Sequence, residues 1–128
     1  MRFYDAHNHL HDPRLLSCRE AIIDALEELP IRNAVVNGTC EQDWIEVATL
    51  ARRLPWVIPS FGYHPWFVEA ATEQWMNNLC ASLDEFPCAV GEIGIDRWMP
   101  NPNTPRQEAM FVAQLAIAAE RDLPVSIH

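Results

Sequence analysis

The chain has 128 residues, 49% of them apolar and 21% charged, the composition of one globular domain rather than of a disordered segment. Nine Lys plus Arg against 18 Asp plus Glu give a net charge of -9, which excludes a broad basic face for gripping nucleic acid or an anionic membrane. A polyanionic substrate is compatible with that charge where bound cations supply the positive field locally.

In chain order, the first predicted strand is Phe3 to Asn8. A helix opens at Ser17, which makes a capping box with Glu20, buries Ile22, Ala25, Leu26 and Leu29, and stops at Pro30. The second strand covers Ala34 to Gly38. Thr39 and Gln42 repeat the capping box, and the second helix carries Trp44, Ile45, Ala48, Ala51 and Leu54 as far as Pro55. The third strand, Val57 to about Gly62, leads into an aromatic loop. The third helix begins near Thr72 and sets Trp75, Met76, Leu79, Cys80 and Leu83 at helical spacing. The fourth strand is Ala89 to about Ile95. Thr104 is the predicted N-cap of the fourth helix, with Pro105 at the first helical position and Gln107 at the third. Pro124 opens a fifth strand, Val125 to His128.

Strands separated by helices of this length imply right-handed crossovers and a parallel sheet. The chain is therefore expected to form one structural unit of α/β class. An eight-stranded barrel typically needs about 250 residues, and this sequence offers four β/α units plus one strand. No apolar run approaches the roughly 18 residues that span a bilayer. MRFYDAHNHLHD at the N-terminus lacks the apolar stretch of a signal peptide, so a cytoplasmic protein without a membrane partner is expected. Cys18, Cys40, Cys80 and Cys88 show no metal-knuckle spacing, and three of them lie in or beside apolar segments, where a free Cys is read as a small hydrophobe.

Parallel α/β folds place their sites at the C-terminal ends of the strands. Those ends carry Asp5-Ala6-His7-Asn8-His9, Asn37-Gly38-Thr39, Gly62-Tyr63-His64-Pro65, Gly91-Glu92-Ile93-Gly94-Ile95-Asp96 and His128. His7 and His9, two apart on a strand, project from one face and offer two neutral nitrogen donors to a divalent metal; a hydrogen-bonded His pair is the alternative. Asp5 could orient a His, while His11 is read as a solvated loop residue. Glu92 lies inside the apolar run CAVGEIGI, where an ionised carboxylate needs a metal, hydrogen bonds or a salt bridge; Arg97 is the cation near in sequence. His128 ends an apolar strand in register with this group. His64 either polarises a substrate oxygen or packs, and Asp96 is either a site carboxylate or a loop anchor. Trp44 and Trp75 belong to the core.

DAHNHL at residues 5–10, GYHP at 62–65, GEIGID at 91–96 and the segment from Gln107 to His128, in that order along the entire chain, closely resemble the TatD family of metal-dependent hydrolases. The resemblance implies a (β/α)8, TIM-barrel-type fold, two divalent cations (Mg, Mn or Zn) and hydrolysis of phosphodiesters, with DNA as substrate. It places His7 and His9 as ligands from the first strand, Glu92 as the catalytic carboxylate shared between metals, and His128 as the ligand of the fifth strand. His64 falls at the GxHP position near the substrate. The family's Arg after the fifth-strand His, its sixth-strand His and its eighth-strand Asp have no counterpart in this sequence. Two other readings stay open: a non-catalytic half-barrel that needs a C-terminal half or a second copy, and an amidohydrolase-like enzyme acting on a small cyclic amide or lactone. The GxHP and GExGxD set disfavours the last.

Overall fold

The computed structural model describes all residues, Met1–His128. Five strands, β1 (Phe3–Asn8), β2 (Ile31–Asn37), β3 (Val57–Phe61), β4 (Ala89–Ile93) and β5 (Val125–Ile127), form one parallel sheet in the order β1-β2-β3-β4-β5. Between them run α1 (Arg19–Glu27), α2 (Glu41–Arg53), α3 (Trp75–Glu85) and α4 (Thr104–Glu120). Sequential strand order with a helix at each crossover is the winding of a β/α barrel. No helix is long and apolar enough to cross a membrane.

Burial follows position in the sheet. Every residue of β4 is buried, as a central parallel strand with both faces covered requires. Val36, Phe61, Tyr63, Val90 and Ile93 pack against Val47, Leu50 and Leu79 from the helices in one core cluster, each such apolar side chain contributing about 1.5–3 kcal/mol when fully buried. Trp44 closes that core edge-on to Phe61 and Tyr63, with ring centroids 6.4 and 5.5 Å apart. The strands approach closely beneath the rim. A Cβ on Gly91 would lie 2.7 Å from the Cβ of Ser126, so only glycine lets β4 and β5 pass there. The outer strands contrast with β4: Tyr4 is 68% and Ile127 58% exposed.

Helix starts differ from the sequence expectation by one to three residues, and in each case a nearby hydrogen bond competes. Asp12 caps a short 3-10 turn, Pro13–Leu15, by accepting from the Arg14 N–H. The turns that follow run on to Cys18, whose N–H donates to the Leu15 carbonyl, so α1 begins at Arg19 and Ser17 caps nothing. At α2 the box is Cys40 with Asp43 rather than Thr39 with Gln42, because the Asp43 carboxylate is the stronger acceptor and also takes the Thr39 hydroxyl at 2.5 Å. Thr72 is held outside α3 by Glu41, which accepts from its N–H and its hydroxyl. Asn103, not Thr104, caps α4 through the Arg106 N–H.

Candidate metal centre

The C-terminal rim gathers His7 from β1, His9 just after it, His64 just after β3, Glu92 from β4 and His128 just after β5. Glu92, only 5% exposed, is the hub. Its Oε2 lies 3.2 Å from His7 Nε2 and 3.2 Å from His9 Nε2. Its Oε1 lies 2.7 Å from His128 Nδ1 and 3.6 Å from His64 Nε2. Each carboxylate oxygen thus faces its own pair of imidazoles. Arg97 pairs with Glu108 instead, which removes the salt-bridge alternative for Glu92. Burial raises the Glu92 pKa, but hydrogen bonds to His9 and His128 outweigh it and push it down to about 2. The carboxylate is therefore ionised at neutral pH.

The outer nitrogens of the rings fix how the inner nitrogens face Glu92. His9 Nδ1 donates to the Asn37 carbonyl at 2.8 Å, and Nε2 turns toward Glu92, whose hydrogen bond raises the His9 pKa; a cation bound at Nε2 would take the place of that proton. His7 Nδ1 is held by the Ser126 hydroxyl at 2.8 Å, across the inner face from β1 to β5. Such partners orient ring nitrogens in metal sites. His64 is different. Its Nδ1 accepts from the Trp66 backbone N–H at 3.1 Å, so the neutral ring carries its proton on Nε2, which faces Glu92 Oε1 at 3.6 Å, beside the His128 Nδ1–H that donates to the same oxygen at 2.7 Å. Burial lowers the His64 pKa to about 4, which keeps that ring neutral. His64 is a hydrogen-bond donor aimed into the site.

The donor set suits divalent cations. Two groups, His7-His9-Glu92 and His64-Glu92-His128, each bring three ligand atoms within 4.8 Å of one another, and imidazole nitrogen with carboxylate oxygen is a zinc- or manganese-type set. Among the four His that line the rim, the His64 tautomer makes it the least suited to ligation.

Asp5 fastens the strand end by accepting from the His7 N–H and the Asn8 amide; it does not orient an imidazole. His11 is buried rather than solvated, because the Asp43 carboxylate, 32 residues away, lies 3.1 Å from its Nε2. Asp96 anchors its loop by accepting from the Trp98 N–H at 2.8 Å, and also sits 3.5 Å from His128 Nε2. The cysteines are all free thiols, and Trp44 is buried in the core. Ser126 and Asp43 have no place in the sequence reading, and Asn37 stands there as a strand-end residue without a role. Asp43 carries a signal as a carboxylate in the first turn of a helix.

Asp43 ties the β1, β2 and α2 segments together and gives the clearest stability prediction. Burial raises its pKa, but hydrogen bonds from His11 and Thr39 outweigh this and hold it below the usual carboxylate value. A depressed folded pKa contributes stability above the unfolded value of about 3.9 and loses it as the pH falls through the folded one. Asp43→Ala should cost about 1–2 kcal/mol in urea unfolding at neutral pH, and the cost should shrink as the pH drops below about 4. A cost that is constant with pH would show that charge at Asp43 plays no part.

Fold and site together define a parallel α/β sheet of barrel type with a histidine-carboxylate cluster at the strand ends. The chain belongs to the TatD related DNase family, whose model matches residues 4–128. It is 29% identical over 130 residues to the uncharacterized metal-dependent hydrolase YjjV of Escherichia coli K12, covering 99% of this chain and 50% of that protein. It is 34% identical over 116 residues to the 3'-5' ssDNA/RNA exonuclease TatD of Escherichia fergusonii, covering 86% of this chain and 43% of the relative. The crystal structure of YjjV superposes with a TM-score of 0.89 over 99% of this chain and 50% of its own length. The chain spans about half the length of these relatives.

Proposed function

We propose that this chain builds the metal centre of a divalent-metal-dependent phosphodiesterase that cleaves single-stranded nucleic acid. The observation that carries the reading is Glu92, a buried ionised carboxylate with one oxygen toward each of two imidazole pairs. His7, His9 and Glu92 Oε2 would hold one cation; Glu92 Oε1 and His128 would hold the other. Bound there, Mg, Mn or Zn ions would neutralise phosphate charge and act as Lewis acids, which an acidic chain of net charge -9 otherwise lacks. Asn37 and Ser126 hold His9 and His7 in place for ligation. His64 holds a proton on Nε2 for a phosphate oxygen, and its burial keeps that donor neutral and dry. That relatives of this family carry the names hydrolase and ssDNA/RNA exonuclease supports the reading.

The outer strands β1 and β5 are each paired on one side alone, and unpaired strand edges recruit other chain. The proposal therefore includes a partner that closes the sheet, either a C-terminal half or a second copy. The test is an assay of the chain, alone and mixed with the C-terminal half of the YjjV relative, on end-labelled single-stranded DNA and on lactones. DNA cleavage that needs Mn²⁺, Mg²⁺ or Zn²⁺ and stops in EDTA is expected. Cleavage of lactones but not DNA, or DNA cleavage indifferent to EDTA, would overturn the reading.

A further inference from the structure

Beside the metal centre lies a second, largely apolar depression of about 570 Å³. It is lined by Trp66 and Phe67 from the turn after β3 and by Asp96, Trp98, Met99 and Pro100 from the loop after β4. Trp98 is 97% exposed and Trp66 55%, although aromatic surface of that extent is costly to leave in water. The Trp66 ring and the Trp98 backbone are both tied to Asp96. Asp96 Oδ2 accepts from Trp66 Nε1 at 2.6 Å, and Asp96 Oδ1 accepts from the Trp98 N–H at 2.8 Å. Gln107, fully buried on α4, accepts from the Asp96 N–H at 2.9 Å and donates to the Asp96 carbonyl. The loop base is thus fixed against the helix, and one carboxylate sets both indole-bearing segments.

The depression adjoins the metal centre through Trp66 and Asp96. The Trp66 ring lies edge-on to His64 at 5.2 Å and to His128 at 6.3 Å between centroids. His128 Nε2 is 3.5 Å from the same Asp96 carboxylate.

We propose that Trp66, Phe67 and Trp98 form a stacking platform for an unpaired nucleobase of a strand whose phosphate lies at Glu92. This rests on the phosphodiesterase reading and adds how the substrate is held and chosen. With a net charge of -9, the chain attracts phosphates only where cations bind, so further affinity must come from uncharged base faces. Aromatic side chains supply it without regard to sequence, since every base has a π-face. In a duplex those faces are covered by neighbouring base pairs, so the platform selects single strands. It also makes binding depend weakly on salt, because few Lys or Arg contacts release counterions.

The experiment is a fluorescence anisotropy titration of the full chain in Mg²⁺ with labelled octathymidylate and with an abasic octamer of equal backbone charge, both checked for intactness by gel. The thymidylate should bind about tenfold more tightly or better. Trp98→Ala should erase that preference, and Trp98→Phe should keep most of it; neither change touches the core. Equal affinity of the wild-type chain for the two strands, or an undiminished preference in Trp98→Ala, overturns the platform and leaves the phosphodiesterase reading standing. Binding of neither strand overturns both.

Discussion

Replacing Glu92 with Gln is expected to abolish divalent-metal binding and to lower hydrolysis by several orders of magnitude, with the secondary structure unchanged. In the structure the carboxylate faces four imidazoles through two oxygens. An amide presents one oxygen and one NH₂ group, so one imidazole pair loses its acceptor and the negative charge that would compensate two cations disappears. The fold should survive because Gln keeps the volume of Glu within the buried strand β4. Calorimetric titration with Mn²⁺, paired with circular dichroism, reads both halves of the expectation. Wild-type affinity in Glu92→Gln would make Glu92 a structural residue.

The second large effect concerns association. The 128-residue chain should run as a dimer or larger species at micromolar concentration, and the C-terminal half of a relative should compete with that self-association. β4 is buried along its full length, whereas β1 has no fully buried residue and β5 none either. Phe3, Tyr4, Val125 and Ile127 are exposed apolar side chains on those two strands, next to backbone groups that have no neighbouring strand. A parallel sheet is ordinarily covered on both faces, and apolar surface beside an open edge drives pairing. Light scattering that gives a monomer mass at every concentration would show that the edges need no partner.

The strand-end residues were legible in the sequence because two local rules sufficed: alternation puts His7 and His9 on one face, and parallel α/β sheets expose chemistry at the C-terminal ends. Glu92 was legible by contrast, as a charge inside an apolar run. What escaped depends on contacts between distant segments. His11 reads as a loop histidine until Asp43 is brought beside it, and Asp96 shows its function only when Trp66, 30 residues earlier, donates to it. The caps of α1, α2 and α4 missed by small steps for a related reason. Adjacent Ser, Thr, Asn and Asp residues compete for the same N–H groups, and at α3 a tertiary partner, Glu41, holds Thr72 outside the helix. His64 carried both readings in the sequence, and only the Trp66 N–H on its Nδ1 fixed the direction of its proton.

The most direct measurement of the metal-centre proposal is the anomalous scattering of crystals of this chain grown with Mn²⁺ or Zn²⁺. Two peaks are expected on either side of the Glu92 carboxylate, each about 2.0–2.2 Å from one of its oxygens, one also bound by His7 and His9 and the other by His128, with His64 left unligated. Strong peaks elsewhere on the chain, with none at Glu92 under saturating metal, would contradict it.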